Sequence, residues 1–359
     1  MTLNLRYGTN PHQAPARVFM ADGSPLPFEV LNGAPGYINL LDALNSWQLV
    51  RELRQVLGLP AAASFKHVSP AGAAVGVPLS DGQRQAYFTG HDKLSPLATA
   101  YARARGADRV SSYGDWAALS DTVDVATARL LRREVSDGVI APGYEPAALE
   151  LLKAKRGGRY TVLQIDPSFQ PAKLESRQVF GITFEQGRNS YLPGQELAAL
   201  PPDAWRDAVV AQLTLKYTQS NSICLARDGQ VIGNGAGQQS RIHCTRIACD
   251  KADLWHLRQH ASVLDHEWPS DRVERDNAID VHVRGLPATV KSEWLQSLAG
   301  VTMASDAFIP FRDNIDRAAL SGVRYVIQPG GAQREQDIVH ACQEHGMTMI
   351  TTGVRLFQH

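Results

Sequence analysis

Segments with helical periodicity alternate with short apolar segments along most of this chain, and that alternation restricts the fold more than any other feature. Residues 39–57 place large apolar side chains three and four positions apart and are followed by Gly58 and Pro60, which predicts an amphipathic helix that ends there. Residues 61–65 form a short apolar segment, as expected for a buried strand. Strands separated by helices favour an α/β protein with a largely parallel sheet and right-handed crossovers.

The alternation continues to the C-terminus. Asp228 and Gly229 lie between two apolar segments, which predicts a β-hairpin. A chain of 359 residues exceeds one typical core, and the Pro-containing connector at 166–171 is a plausible boundary, so we expect two α/β units at 1–170 and 171–359. One sequence does not decide whether the units are diverged copies. Further helices are predicted at 96–105, 125–135, 146–155, 203–215, 315–320 and 335–345, and further strands at 109–112, 138–141, 160–165, 179–184, 301–304, 324–327 and 347–350.

The charge balance and the apolar pattern exclude several classes of protein. Lysine plus arginine and aspartate plus glutamate number 36 each, so no overall positive field would attract a nucleic-acid polymer. No apolar run approaches the roughly 18 residues that span a bilayer, and residues 1–6 lack the apolar core of a signal peptide. We therefore expect a cytoplasmic protein with no membrane partner. The four cysteines form no Cys-x-x-Cys pair, which favours reduced, mostly buried thiols over a structural zinc site.

Lys66 and His67 are the strongest candidates for catalysis. They are adjacent at the end of the 61–65 segment, just before Pro70 and Gly72, which indicate a turn. An imidazole can accept and donate a proton at neutral pH, and an ammonium can stabilise an oxygen that becomes negative during a reaction. The pair alone is equally consistent with a solvated strand end, so other segments have to decide between the two interpretations.

Two further segments carry polar groups that suit a ligand. Residues 233–241 form a glycine-rich turn before a predicted helix, where free backbone N–H groups and Arg241 could bind a phosphate. The spacing is not Gly-x-Gly-x-x-Gly, and the segment could be only a tight turn. Residues 306–314 place Phe308 and Phe311 between carboxylates and an arginine, which suits an aromatic heterocycle, although either ring could belong to the core.

Histidines and acidic residues also adjoin in two segments, at 266–267 and 340–345. Neither has the His-Glu-x-x-His spacing that places two ligands on one face of a helix. The His-x-Glu and Pro-Cys-x-x-Cys signature of zinc deaminases is missing as well. No catalytic metal is predicted.

Six motifs, taken in order, resemble one family, the AICAR formyltransferases, which form the formyl-transfer half of the bifunctional purine-biosynthesis protein. The resemblance extends from about residue 4 to residue 357. Residues 102–109 are more similar to the animal-type branch of the family than to the common bacterial branch. Six ordered motifs are far more specific than any single one. They are LRYG at 5–8, VLNG at 30–33, KHVSPAG at 66–72, KYTQSNS at 216–222, GQQSR at 237–241 and SDAF at 305–308.

The resemblance implies formyl transfer from 10-formyltetrahydrofolate to the 5-amino group of aminoimidazole carboxamide ribonucleotide (AICAR), giving FAICAR and tetrahydrofolate. His67 would remove the amine proton, and Lys66 would stabilise the oxyanion of the tetrahedral intermediate. Ile242 and Asp313 match the folate site of the family. The positions that match its nucleotide site are Arg6, Tyr7, Asn39, Gly114, Asp137, Asn221, Arg241, Phe308 and Arg355.

The resemblance also implies a fold of two cytidine-deaminase-like, three-layer α/β/α subdomains without zinc, and a homodimer that shares its active sites. A structural potassium ion is implied near Ser220, Ser222 and Asp306. Because the chain begins where the formyltransferase half begins, no cyclohydrolase activity is expected, and a separate IMP cyclohydrolase would close the ring to inosinate.

Two other classes of function remain open. One is an enzyme on the same scaffold that uses another one-carbon donor or acceptor. The other is a binding or regulatory subunit without activity, which the intact Lys66-His67 pair argues against. Binding titrations with folate and nucleotide would separate the first alternative from AICAR formyl transfer.

Overall fold

One 11-stranded sheet runs through the computed structural model, which describes residues 2–359. The strands are β1 Thr2–Leu5, β2 Ala16–Phe19, β3 Phe28–Asn32, β4 Ala61–Lys66, β5 Ser69–Val75, β6 Asp115–Leu119, β7 Ser136–Ala141, β8 Thr161–Ile165, β9 Leu174–Val179, β10 Ile182–Gly187, β11 Ile223–Arg227, β12 Gln230–Gly235, β13 Val301–Ser305, β14 Val323–Gln328 and β15 Thr348–Thr351. The helices are α1 Tyr37–Leu57, α2 Asp81–Ala86, α3 Pro96–Gly106, α4 Val125–Arg133, α5 Pro146–Lys153, α6 Pro202–Lys216, α7 Arg241–Leu257, α8 Ala261–Leu264, α9 Arg272–Gly285, α10 Ala288–Leu295, α11 Asp313–Ala319 and α12 Glu335–Glu344.

The two halves of the large sheet repeat one topology. Its strand order is β15-β14-β13-β11-β12-β5-β4-β6-β7-β8-β3, and β5 meets β12 at the centre through the pair Ala74 and Gln230. Outward from that contact, each half has a hairpin and then three strands that are parallel to one another. A long helix precedes each hairpin and another follows it, so α1 corresponds to α6 and α3 to α7. Whether the halves divide at residue 170 into separate units stays a prediction.

Helices cover both faces of the sheet, which confirms the α/β fold class. Alternate residues of β4 show the two faces, because Ala61 and Ala63 pack with α1 and α6 whereas Ala62 packs with α3, α4 and α5. In the second half, α7, α11 and α12 occupy the same face as α3. Each strand therefore contributes to two cores, as the period of two along a strand requires.

The predicted largely parallel sheet is wrong, because the sheet is mixed. Six of its ten strand contacts are antiparallel, including both hairpins and the contacts of β6 and β13 with them. The predicted turn at Pro70 and Gly72 lies inside β5, and the two-residue turn precedes it at His67 and Val68. Hydrophobic periodicity indicates strands but does not determine which neighbour a strand pairs with.

Two predicted strands are also wrong. Residues 109–112 form turns, because the Asp108 carboxylate accepts hydrogen bonds from the Ser111 N–H at 2.9 Å and from its hydroxyl at 2.6 Å. The 179–184 segment is broken at Phe180, where φ is 52°, so that β9 and β10 form a separate hairpin. The remaining predicted helices and strands are confirmed to within two residues at each end.

The structure also bears on the expectations about the cysteines and about membrane-spanning helices. All four cysteines are free and buried, as predicted. Among residues 2–359, no helix is both long enough and apolar enough to cross a bilayer.

Candidate active site

Lys66 and His67 lie at the tip of the β4–β5 hairpin. Lys66 pairs with Ser69, which leaves His67 and Val68 as the two turn residues, with φ of 54° and 58°. Two positive φ angles are those of a type I′ turn, whose twist suits a hairpin. The His67 side chain is exposed, whereas Lys66 is half-buried and its Nζ donates to the carbonyl of Tyr113 at 2.6 Å. The turn thus presents an imidazole to solvent beside a partly ordered ammonium.

An aspartate that the sequence analysis did not identify supports this turn. Asp42 lies on α1, is 5% exposed, and its Oδ1 accepts a hydrogen bond from the Val68 N–H at 2.7 Å. Burial raises the pKa of the Asp42 carboxyl to about 6, against the lowering effects of the Val68 N–H and of His67. A charged residue among the buried positions of an amphipathic helix was the available signal, because such residues are seldom buried without a partner.

An open cleft of about 330 Å³ lies on one side of the turn and brings together four of the predicted nucleotide residues. They come from different elements: Tyr7 follows β1, Asn39 is in the first turn of α1, Gly114 precedes β6 and Asp137 is in β7. Lys66, His67 and Asp42 line the same cleft. Arg6 is exposed, and its guanidinium lies 5.8 Å from the centre of the Tyr7 ring.

Local structure explains how several of these residues are held. The Asn39 side chain accepts a hydrogen bond from the Gly36 N–H at 3.0 Å, which fixes it at the start of α1. Gly114 has φ of 73°, a conformation that glycine adopts without strain. The Asp137 carboxylate pairs with Arg156 at 2.9 Å.

A second cleft of about 340 Å³ also includes Lys66 and His67. Its other lining residues include Ser111, Asn234 and Lys251, so it lies towards the second half of the molecule. Asn234 donates to the Pro70 carbonyl at 2.9 Å and thereby joins β12 to the start of β5. The candidate acid–base pair therefore faces two clefts, an arrangement that could hold two ligands on either side of one turn.

The other predicted nucleotide residues form a separate group around Asp306. Arg241 is buried, forms an ion pair with Asp306, and donates to Asn221 Oδ1 at 2.9 Å. Phe308 is 46% exposed and follows Asp306 by two residues. Arg355 is exposed, and the adjacent Leu356 N–H donates to the Asp306 carbonyl at 2.8 Å. Within residues 2–359, none of this group lines the cleft of Tyr7 and Asn39.

The predicted folate residues lie beside this second group. Ile242 follows Arg241 in the first turn of α7 and is half-buried. Asp313 is exposed at the start of α11, and its carboxylate accepts from the Asn314 side chain at 2.9 Å. Asn314 in turn contacts Thr245 of α7 at 2.7 Å, which links the two helices. Neither predicted folate residue lines the second cleft among the residues that the structure describes.

Of the three residues predicted to surround potassium, Asp306 contacts both serines. Asp306 Oδ2 accepts from the hydroxyl of Ser220 at 2.7 Å and from that of Ser222 at 2.9 Å. A donor set made only of oxygens is compatible with a hard cation. The charge of the Asp306 carboxylate is, however, already balanced by the Arg241 guanidinium. Across the described part of the chain, no group of three or more His, Cys, Asp or Glu side chains is arranged to hold a metal ion.

The fold and the site define an α/β protein with a candidate acid–base pair in a hairpin turn that faces two open clefts. The AICARFT/IMPCHase bienzyme family matches residues 1–251. Two similar relatives, from Xanthomonas campestris pv. campestris strains 8004 and ATCC 33913, are each described as a bifunctional purine biosynthesis protein PurH. Each is 34% identical over 370 residues, which cover 99% of this chain. The chain belongs to the AICARFT/IMPCHase bienzyme family and spans 58% of the length of these relatives.

Proposed function

We propose that this chain is an AICAR formyltransferase, which uses 10-formyltetrahydrofolate and acts in purine biosynthesis. The observation that carries the proposal is the position of Lys66 and His67 at the tip of a hairpin that faces two clefts. Formyl transfer needs two bound substrates and a group that can accept a proton between them. The family of the chain and the description of its relatives as purine biosynthesis proteins support the choice of substrates.

In the proposed reaction, the 5-amino nitrogen of AICAR attacks the formyl carbon, and the formyl oxygen becomes negative in a tetrahedral intermediate. The amine is a weak nucleophile because its lone pair is delocalised into the ring and the carboxamide. His67 accepts the amine proton, and the Lys66 ammonium stabilises the oxyanion. The bond from the formyl carbon to the folate nitrogen then breaks, and that nitrogen takes up a proton to release tetrahydrofolate. The open-chain product FAICAR keeps the new C–N bond.

We infer that the nucleotide binds in the cleft lined by Tyr7, Asn39, Gly114 and Asp137. Arg6 lies beside Tyr7, whereas Asn221, Arg241, Phe308 and Arg355 belong to the Asp306 group. The folate residues Ile242 and Asp313 lie beside that group. A homodimer in which the Asp306 group of one copy completes the cleft of the other would use both groups. Their separation in one copy supports that arrangement. A potassium ion at Ser220, Ser222 and Asp306 would be structural, and its test is activity in potassium against activity in a large organic cation.

The direct test follows tetrahydrofolate formation by the purified 359-residue chain with AICAR and 10-formyltetrahydrofolate, and identifies the product by chromatography. We expect AICAR-dependent tetrahydrofolate and accumulation of FAICAR, because we propose that the site formed by these residues catalyses formyl transfer and not the cyclohydrolase reaction. The animal-type branch stays a prediction from residues 102–109. Enzyme-dependent inosinate would contradict the separation of the two activities. No turnover, with folate and nucleotide both bound in titrations, would favour a different one-carbon acceptor or an inactive binding subunit.

A further inference from the structure

The turn that carries His67 has a sequence that disfavours its own conformation. Type I′ turns usually contain Asn-Gly or Asp-Gly, since both central residues need positive φ. A β-branched residue such as Val68 is a strong outlier at a φ of 58°. Such a conformation persists only when surrounding groups hold it. The structure supplies one such group, the Asp42 carboxylate, which accepts the Val68 N–H at 2.7 Å from a buried position on α1.

The second half of the molecule contains the same arrangement without the catalytic side chains. Asp207 is the sixth residue of α6, as Asp42 is of α1, and each is followed by alanine. The Asp207 carboxylate accepts the Asp228 N–H at 2.9 Å and the Gly229 N–H at 2.6 Å, in the turn between β11 and β12. Asp228 and Gly229 suit a type I′ turn by themselves. A helix aspartate bound to a hairpin turn is thus repeated, and only the His67 copy has an unfavourable turn sequence.

We propose that Asp42 is a positioning residue for the reaction proposed above, because its carboxylate holds the His67–Val68 turn in the conformation that places the imidazole between the two clefts. This inference rests on the proposed function. Asp42 also lines the nucleotide cleft, beside the ionisable groups of Lys66, His67 and Asp137. Direct contact between Asp42 and a substrate is therefore the alternative that the experiment has to exclude.

The first experiment compares Asp42→Ala with Asp42→Asn after formyl transfer by the unaltered chain has been established. Inactivity of the unaltered chain would refute the proposed function, and this result would be known before any Asp42 variant is compared. We expect Asp42→Ala to lower kcat at least tenfold, with AICAR affinity in titration calorimetry changed less than threefold. Asp42→Asn retains an oxygen that can accept the Val68 N–H and should keep at least a third of kcat. Asp42→Ala with more than half of the unaltered kcat would overturn the proposal.

The decisive experiment is a double-mutant cycle with Val68→Gly, because glycine adopts positive φ without help. Asp42→Ala should lower kcat at least tenfold in the chain that has Val68. In the Val68→Gly background it should lower kcat less than threefold. A loss of equal size in both backgrounds would mean that Asp42 acts on a substrate, and the proposal would fail. If Asp42→Ala alone does not fold, the double variant is compared with Val68→Gly, where a tenfold loss is again contrary to the proposal.

Asp207→Ala is the matched control, since it removes the equivalent carboxylate from a turn without Lys66 or His67. We expect it to lower the melting temperature and to leave kcat within threefold of that of the unaltered chain at a temperature where both are folded. An equal loss of kcat in Asp207→Ala and Asp42→Ala would show that general destabilisation explains both, and would overturn the positioning role.

Discussion

At the scale of single residues, the proposed mechanism depends most on His67. Replacing it by alanine removes the proton acceptor, so turnover should fall about 10²-fold or more, the usual effect of losing a general base. The His67 side chain is exposed, so folding should be retained. Steady-state kinetics and a thermal melt check the two expectations. The control is His340→Ala, which changes an exposed histidine on α12. A His67→Ala variant that keeps more than a third of the unaltered turnover would contradict the assignment.

Arg241 and Arg355 are both predicted to bind the nucleotide, but they occupy different environments. Arg241 is buried against Asp306, whose carboxylate would lose its charged partner in Arg241→Ala. Breaking a buried ion pair costs about 3–5 kcal/mol, so we expect urea denaturation to show a loss of that order. Arg355 is exposed, and Arg355→Ala should leave stability unchanged while weakening nucleotide binding by about 1.5–3 kcal/mol, the range for hydrogen bonds to charged groups. Equal urea denaturation curves for the two variants would refute this distinction.

At the scale of elements, two glycines allow a helix to pack closely on the hairpin of each half. A Cβ on Gly72 would lie 2.1 Å from the Ala104 carbonyl oxygen of α3, and one on Gly233 would lie 2.0 Å from that of Ala248 in α7. Both obstacles are backbone, so either alanine variant should lose about 1–3 kcal/mol of unfolding free energy. Gly187→Ala is the control, because a Cβ there meets no atom within 4 Å. Denaturant curves that do not separate Gly72→Ala from Gly187→Ala would contradict the close packing.

At the scale of the whole molecule, the open question is whether two copies share each site. A His67→Ala chain and an Arg355→Ala chain should both have low activity, one through chemistry and the other through binding. If the two residues serve one site from different copies, a heterodimer contains one unaltered site, and mixing the chains should restore activity. Native mass spectrometry would count the heterodimers. Heterodimers without restored activity would place both residues in the same copy and remove the shared site from the proposal.

The sequence alone determined the α/β class, the bounds of most helices and strands, and the Lys66-His67 pair, because periodicity and adjacency are local properties of a chain. Only the tertiary structure decided the strand directions, since pairing depends on contacts between distant segments. The same reason explains why the sequence did not separate Tyr7 and Asn39 from Arg241 and Arg355, which match one site by motif but form two groups in space. It also explains why Asp42 was missed: its significance lies in one hydrogen bond to a turn 26 residues away, and no local pattern records such a bond.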